Sequence, residues 1–389
     1  MVHPVFENLP TTIFEEMSGL ARELGAINLG QGFPDDAGPE PVRARAAEAL
    51  MTGSNQYPPM RGLPELRRAV AQHYRLSQGL DLDESEITVT SGATEALAAA
   101  FFSLISPGDE VVLFQPLYDA YLPLIRRAGG VPRLVRLEPP HWRFDRAMLE
   151  AAFTPRTRMV VLNSPLNPAG TVVPDEDLAL LAEFCVAHDA IAVCDEVWEA
   201  VTFDGRRHRS LMDLPGMRER TVKIGSAGKL FGMTGWKVGF LCAAPPLTRA
   251  LAAAHQFLTF TTPPNLQAAV AWGLDHHRDW FTAMPAGLQA SRDRLSAGLV
   301  AAGFAVLPSA GTYFLNIDLR ASGLTLNDRD FCLRLVREHG VAAIPVSAFY
   351  AETPVQHIAR LCFAKSDQTL DEAVARMARA RQALERQDA

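Results

Sequence analysis

The feature that most constrains this chain is an alternation of short β-rich runs with helical stretches between about residues 85 and 245. Six runs are predicted as strands: Ile87–Thr90, Glu110–Phe114, Met159–Asn163, Ile191–Asp195, Thr221–Gly225 and Val238–Cys242. Helical patterns such as Thr94–Leu104 and Asp175–His188 lie between several of these runs. This alternation predicts an α/β fold whose sheet is mostly parallel and covered on both faces by helices. Ligands of such sheets bind beyond the carboxyl ends of the strands.

The length of 389 residues exceeds that of a usual single domain, so two domains are expected. A large domain is predicted over 42–280 and a smaller α/β domain over 281–389. A long helical region, roughly Leu266 to Ala302, leads into the small domain. The stretch 1–41 looks loop-like and is expected to join the small domain.

Charge and hydropathy exclude several classes of protein. The net charge of −7, without a run of Lys or Arg, argues against a nucleic-acid surface. The longest apolar run, Ala96 to Phe102, is too short to span a bilayer, and the first residues lack a signal-peptide pattern. The five cysteines are scattered without Cys-x-x-Cys spacing, so we assign no metal site and expect a cytoplasmic protein.

Lysine is rare in this chain, and its distribution is uneven. Only four lysines occur, at 223, 229, 237 and 365, although Lys and Arg together number 37. An amine that can lose its proton acts as a nucleophile, which a guanidinium does not. Three lysines within fifteen residues therefore suggest amine chemistry, with chance clustering as the alternative.

Three polar motifs follow predicted strands. Ser91-Gly92-Ala93-Thr94 opens a helix, where free N–H groups and the helix dipole favour a phosphate, although a simply capped helix start has the same pattern. Asn163 and Asn167 lie in a Pro-rich loop and are either turn residues or ligand contacts. Asp195 ends an apolar strand, where a carboxylate requires a partner, either a ligand or an internal ion pair.

The segment 221–240 is the most specific. A strand ends in Ser226-Ala227-Gly228-Lys229, and Gly235-Trp236-Lys237 precedes the next strand. Lys229 would supply a nucleophilic amine, while Ser226 and Lys237 would bind phosphate. A Walker-type loop is excluded because its residue order is absent.

With these motifs in place, the chain resembles the class I/II aminotransferases of fold type I, which depend on pyridoxal 5'-phosphate (PLP). It is most similar to the branch of kynurenine/glutamine and methionine aminotransferases. The resemblance covers nearly the whole chain, in order, and rests on these segments: AINLGQGFPD (26–35), NQYPPMRGLPELR (55–67), SGATEAL (91–97), PLYDAY (116–121), NSPLNPAG (163–170), CDEVWE (194–199), GSAGKLFGMTGWKVG (225–239), GTYFLNID (311–318), IPVSAFY (344–350) and IARLCFAK (358–365).

The resemblance implies a role for each matching residue. Lys229 would form the Schiff base and carry the proton, Asp195 would pair with the pyridine nitrogen, and Asn167 would bond the phenolic oxygen. Tyr118 would stack on the ring. Five residues would hold the phosphate: Gly92, Ala93, Thr94, Ser226 and Lys237.

Contacts to the substrate and to a second subunit are implied in the same way. Arg360 would bind the substrate α-carboxylate, helped by Gly32 and Asn167. Tyr57 would reach the phosphate in a neighbouring subunit, which implies a homodimer with shared sites.

One position departs from the family pattern. Trp198 stands where the family usually has a tyrosine whose hydroxyl bonds the phenolic oxygen of PLP. Indole offers an N–H but no hydroxyl. Either that N–H substitutes, or the ring oxygen loses a partner and the pKa of the Schiff base rises.

We therefore expect an aminotransferase that moves an amino group from methionine, glutamine or an aromatic or kynurenine-type amino acid to a 2-oxo acid by a ping-pong mechanism. Phe33, Tyr313 and Phe349 either line an aromatic substrate pocket or pack the domain junction. Two alternatives remain open: a cysteine-conjugate carbon–sulfur β-lyase and a succinyl-diaminopimelate aminotransferase. A PLP-sensing regulator would need a DNA-binding domain, for which residues 1–30 are too short.

Overall fold

A computed structural model describes residues 2–7 and 9–388 of the chain. The strands of this part of the chain are β1 (Ile27–Asn28), β2 (Ile87–Ser91), β3 (Glu110–Gln115), β4 (Val131–Arg136), β5 (Thr157–Asn163), β6 (Ile191–Asp195), β7 (Thr221–Ser226), β8 (Val238–Cys242), β9 (Ala305–Val306), β10 (Phe314–Asp318), β11 (Val341–Ala342), β12 (Ile344–Pro345) and β13 (Ile358–Cys362).

The α-helices of the same residues are α1 (Pro4–Glu7), α2 (Ile13–Glu23), α3 (Glu40–Thr52), α4 (Pro64–Gln78), α5 (Gly92–Leu104), α6 (Tyr121–Arg127), α7 (Arg146–Ala152), α8 (Asp175–Ala187), α9 (Ala227–Leu230), α10 (Pro245–Leu258), α11 (Pro264–His276), α12 (Trp280–Ala301), α13 (Asp328–His339) and α14 (Asp367–Asp388). None of them is both long enough and apolar enough to cross a membrane.

Seven strands form the central sheet, in the order β2-β8-β7-β6-β5-β3-β4. The pairs from β7 to β4 are parallel, whereas β8 is antiparallel to both of its neighbours. The inner strands β3, β6 and β8 are buried at every position, as expected for strands covered on both faces. The mostly parallel α/β sheet predicted from the sequence is therefore confirmed.

All six predicted strands are present, and Ile191–Asp195 and Val238–Cys242 have the predicted bounds. The edge strand β4 was not predicted. Its sequence VPRLVR carries a proline and two arginines, and five of its six residues are exposed or only partly buried. Edge strands tolerate such residues because one side of the ladder is unpaired, so the apolar signal is weak there.

Four shorter strands form an antiparallel sheet in the order β12-β13-β10-β9. A separate two-stranded pairing joins β1 to β11, with Ile27 opposite Val341. The N-terminal segment thus contacts the C-terminal part of the chain. The division into 1–41, 42–280 and 281–389 remains a prediction.

One expectation about local structure is wrong. The N-terminal stretch is not loop-like throughout, because α2 forms an eleven-residue amphipathic helix whose N-cap Thr12 accepts a hydrogen bond from the Glu15 N–H. The long helical region predicted over Leu266 to Ala302 is present as two helices, α11 and α12, with residues 277–279 between them. Helical periodicity resumes after this break, so the apolar pattern alone did not reveal it.

Candidate active site

A cavity of about 220 Å³ lies beyond the carboxyl ends of β5, β6 and β7. These strands end at Asn163, Asp195 and Ser226, and all three side chains line the cavity. Ten of the residues predicted from the sequence meet there: Gly92, Ala93, Thr94, Tyr118, Asn167, Asp195, Trp198, Ser226, Lys229 and Lys237. Leu97, Val197 and Thr234 complete the wall.

One end of the cavity is suited to an anion. The first turn of α5 faces it, and the Ser91 side chain makes no capping hydrogen bond, so the capped-helix alternative does not apply to that residue. Gly92 has a φ of +71°, and a Cβ there would come within 3.3 Å of Lys237 Nζ. The free N–H groups of a helix start, an ammonium and the Ser226 hydroxyl are phosphate-binding groups.

Asp195 presents a carboxylate deep in the cavity. Its Oδ2 accepts a hydrogen bond of 2.6 Å from the Tyr121 hydroxyl. Its Oδ1 is buried and has no hydrogen-bond partner among the described residues. Burial raises the pKa of Asp195, and the bond from Tyr121 opposes that rise. An unpartnered buried carboxylate oxygen fits a ligand N–H, such as that of a protonated pyridine ring.

Lys229 is carried by the short helix α9, directly after β7. A Cβ on Gly228 would lie 3.1 Å from Thr234 Cα, so the position before Lys229 needs a small residue. Burial lowers the pKa of Lys229 to about 8. The described residues offer its amine no carboxylate within salt-bridge distance. An amine of this pKa is available in its neutral, nucleophilic form near neutral pH.

Arg360 is a buried cation without a carboxylate partner among the described residues. Its Nη1 donates to Asn167 Oδ1 at 2.8 Å and its Nη2 to the Gly30 carbonyl at 2.6 Å, while Nε is unpartnered. Burial lowers the pKa of Arg360. A buried guanidinium held only by neutral oxygens is suited to a ligand carboxylate.

Gly32 lies against Phe314, whose ring also contacts Arg360. A Cβ at this position would lie 2.4 Å from the ring of Phe314, and that ring's centroid lies 3.8 Å from the Arg360 guanidinium carbon. A larger residue at 32 would displace the ring on which the arginine rests. Asn167 connects Arg360 to the cavity, because it bonds Arg360 and also lines the cavity wall.

Tyr57 lies away from the cavity of its own chain. It is 82% exposed, contacts Phe260 edge to face, and belongs to a surface depression formed by residues 55–58 and 261–265. The structure therefore gives Tyr57 no contact with the other predicted site residues within one chain.

The three motif aromatics have different surroundings, and none of them lines the cavity. Phe349 is buried against Phe14, with ring centroids 5.5 Å apart. Phe33 is 44% exposed, and its ring lies 4.9 Å from Lys365 Nζ. Tyr313 is buried edge to face against Trp198.

Sequence reasoning gave no definite role to two groups that hold cavity residues in place. Tyr121 holds Asp195, but a tyrosine in the first turn of a helix carries no distinguishing signal. Asn163 was considered without a definite role. Its Nδ2 donates to the Asp195 carbonyl and its Oδ1 accepts from the Asn167 N–H, so it fixes both neighbours.

Lys223 was counted in the lysine cluster, but it does not line the cavity. Its ammonium is fully buried and paired with Glu196 and Glu199. Glu196 also bonds His208 and Ser210. Two carboxylates and an imidazole resemble a metal-ligand set, but the ammonium of Lys223 is bonded to both carboxylates and supplies the counter-charge.

Comparison with known proteins agrees with this geometry. The family model "Aminotransferase class I and II" matches residues 25–377. A probable N-succinyldiaminopimelate aminotransferase of Mycobacterium tuberculosis is 45% identical over 379 residues, which covers 94% of this chain and 95% of that protein. The methionine aminotransferase of Escherichia coli is 43% identical over 370 residues, covering 95% and 96%.

Solved structures show the same relationship. The structure of N-succinyldiaminopimelate aminotransferase from Mycobacterium tuberculosis superposes with a TM-score of 0.94 at 45% identity, covering 97% of this chain and 99% of that one. An aspartate aminotransferase of Thermus thermophilus gives a TM-score of 0.90 at 31% identity, covering 97% and 99%.

Proposed function

The chain belongs to the class I and II aminotransferases, and on that premise we propose that it uses PLP held by Lys229 and Asp195 to move an amino group from an amino acid to a 2-oxo acid. The observation that carries the proposal is that Lys229 and Asp195 line the same cavity. A lysine with a lowered pKa and a buried carboxylate with an unpartnered oxygen both face it.

The residues of the cavity fit the coenzyme from end to end. Its phosphate would lie at the start of α5, bound by Gly92, Ala93, Thr94, Ser226 and Lys237. Asp195 would keep the pyridine nitrogen protonated, Tyr118 would cover a ring face, and Asn167 would donate to the phenolic oxygen. When bound, PLP supplies an electron sink that stabilises negative charge on the α-carbon of an amino acid.

The protein supplies the proton chemistry. Lys229 Nζ lines the cavity and, in its neutral form, would take the proton from the α-carbon of the bound amino acid. Because the pKa of Lys229 is about 8, the amine can accept this proton and return it near neutral pH. The same site then runs in reverse with a 2-oxo acid, so ping-pong kinetics follow.

Arg360 would fix the substrate by its α-carboxylate. The guanidinium has an unpartnered Nε and is bonded to neutral oxygens of Asn167 and Gly30. A carboxylate would supply the missing counter-charge and orient the α-carbon toward Lys229.

For the amino donor we propose methionine, glutamine or an aromatic or kynurenine-type amino acid. Among the described residues that line the cavity, the cations are Lys229 and Lys237, both already assigned. A donor with a second carboxylate would therefore need a further cation outside this wall, where Arg360 also lies. Lys365 is paired with Asp35. Similarity to N-succinyldiaminopimelate aminotransferases keeps that donor as the second candidate.

The test is a panel of amino donors with one fixed 2-oxo acid acceptor. We expect the highest kcat/KM for methionine, glutamine or an aromatic donor. A preference for N-succinyl-diaminopimelate would overturn the donor assignment but not the aminotransferase reaction. Release of pyruvate and ammonia from a cysteine conjugate, without acceptor, would instead identify a β-lyase.

We also propose a homodimer in which Tyr57 completes the phosphate site of the partner subunit. Tyr57 and Phe260 are exposed by 82% and 39% and contact each other edge to face, and exposed apolar groups that cluster mark contact surfaces. Sedimentation should give a dimer. Mixing Tyr57→Phe with Lys229→Ala subunits should restore one intact site per heterodimer, whereas sites formed within one chain would show no such gain.

Two further proposals rest on the sequence. The large domain is assigned to 42–280 and the small domain to 281–389 together with 1–41. A cytoplasmic location agrees with five cysteines that are all buried and unpaired.

A further inference from the structure

The amine of Lys229 lies against two aromatic rings. Nζ is 4.6 Å from the ring centroid of Trp198 and 5.8 Å from that of Tyr313. The two rings meet edge to face at 88°, with their centroids 4.4 Å apart. Trp198 is 3% exposed and Tyr313 is 1% exposed. We call this pair the aromatic corner.

The two residues of the aromatic corner come from an ion-paired turn and from the start of a strand. Trp198 lies in the turn after β6, between Glu196 and Glu199, and both of these carboxylates are bonded to the buried ammonium of Lys223. Tyr313 directly precedes β10. The turn therefore cannot shift without breaking buried ion pairs, which would be strongly unfavourable.

A ring face stabilises a nearby cation but not the corresponding neutral amine, and indole does so best. The other groups around Lys229 act in both directions. Burial lowers its pKa most, Cys362 and Asp195 raise it, and Arg360 and Lys237 lower it. No carboxylate of the described residues forms a salt bridge with the amine, whereas both ring faces lie within cation–π distance of it.

We propose that Trp198 and Tyr313 are positioning residues that receive the Lys229 ammonium whenever this side chain is not bonded to the coenzyme. This inference rests on the proposed function. When a proton leaves the substrate α-carbon, its bonding electrons stay on that carbon and the proton joins Nζ. The amine becomes a cation at that moment, and the aromatic corner stabilises it close to the carbon to which the proton returns.

The departure from the family pattern thereby acquires a role. A tyrosine at 198 would offer a hydroxyl, whereas Trp198 offers a larger and more electron-rich face to the amine. The tryptophan acts on the proton carrier rather than on the oxygen of the coenzyme ring.

The experiment changes the ring electrons of Trp198 while leaving its shape nearly intact. Trp198 is replaced with its mono-, di- and trifluorinated analogues by nonsense suppression, since fluorine withdraws charge from the ring face. Truncation to Leu is avoided because it would admit water and raise the pKa of Lys229. Trp142, also buried but in another part of the core, is replaced in the same way as the matched control.

The first readout uses protein without coenzyme, so it is independent of the proposed function. The rate of Lys229 acetylation is followed against pH by peptide mass spectrometry, which gives the pKa of its amine. We expect this pKa to fall stepwise with fluorine number, by about half to one unit in total. The Trp142 series should show no change. A pKa that is independent of fluorination at 198 would overturn the inference.

The second readout uses PLP-loaded protein and follows exchange of the donor's α-proton with deuterium oxide by NMR. We expect the exchange rate to change severalfold along the series at 198, following the shift in pKa. If the pKa moves while exchange stays constant, the corner binds the amine but has no part in proton transfer, and the proposed role is wrong. Failure of the protein to bind PLP would count against the proposed function alone.

Discussion

Lys223 lies in β7 and Lys229 lies six positions later in the short helix α9, yet the two lysines have opposite properties. Burial alone would lower the pKa of Lys223, but Glu196 and Glu199, bonded to its ammonium, raise it above the usual range. At Lys229 burial prevails and lowers the pKa to about 8. The counter-charges, rather than burial itself, separate a structural lysine from a reactive one.

The turn that follows β6, residues 196–199, contacts both lysines, one on each side. Asp195 and Trp198 line the cavity, whereas the intervening Glu196 and the following Glu199 bond Lys223 on the far side. One lysine thus anchors the turn that presents the partners of the other. The fold uses the ion-paired lysine to hold the reactive one in a fixed environment.

The largest expected effect tests the structural lysine. Lys223→Met should lower the free energy of unfolding by about 3–5 kcal/mol, because two buried carboxylates lose their ammonium. Denaturant unfolding of the variant measures this effect, and a triple variant that adds Glu196→Gln and Glu199→Gln should recover part of the loss. A single variant as stable as the original protein would refute the ion-pair account.

The pH dependence of the free energy of unfolding gives a second test of the Lys223 ion pairs. Although burial opposes them, Lys223 and His208 lower the pKa of Glu196 to about 2, below its usual value of 4.5. This stabilisation is present above the unfolded pKa and is lost as pH falls through 4.5 toward 2. Unfolding titrations should show that loss in the original protein and a smaller one in Lys223→Met.

Arg360 is a third buried cation, and its expected partner is the substrate. Arg360 has no carboxylate partner among the described residues, so its counter-charge should come from the substrate. Arg360→Lys keeps the charge but loses the two-pronged contact, and kcat/KM for the amino donor should fall about 10- to 100-fold. Steady-state kinetics measure this, with coenzyme affinity as the control. An unchanged kcat/KM would contradict the assignment.

The smallest expected effect is on Lys229, where the substitution should stabilise the protein, in contrast to the substitution of Lys223. In protein without coenzyme, Lys229→Met should raise the free energy of unfolding at pH 7 by about 1–2 kcal/mol, since the amine faces a cavity and its burial is only partial. The folded pKa of about 8 lies below the ordinary 10.5, so the original protein gains stability as pH rises between these values. The advantage of the variant should therefore vanish above pH 10.5. A destabilised variant at pH 7 would contradict the contrast between the two lysines.

Motif chemistry was predictable where residues are adjacent in sequence. The strand ends at Asp195 and Ser226 and the turn carrying Lys229 were located from apolar runs and small residues. What depended on distant contacts was not predictable. Tyr121 reaches Asp195 across 74 positions, and the lysine cluster gave no sign that Lys223 is ion-paired with Glu196 and Glu199.

The antiparallel direction of β8 could not be predicted from its sequence. A buried apolar run such as Val238–Cys242 does not reveal its direction, which is set by how the chain enters it. The distant contacts of Trp198 were equally hidden. The sequence showed that a hydroxyl was absent, but not that an indole face would meet the amine of Lys229.

Reductive trapping of the coenzyme tests the central claim most directly. The protein is loaded with PLP, reduced with borohydride and digested, and the peptides carrying its four lysines are mapped by mass spectrometry. The account predicts a pyridoxyl adduct on Lys229 and none on Lys223, Lys237 or Lys365. An adduct on another lysine, or no adduct on Lys229 after loading, would contradict it.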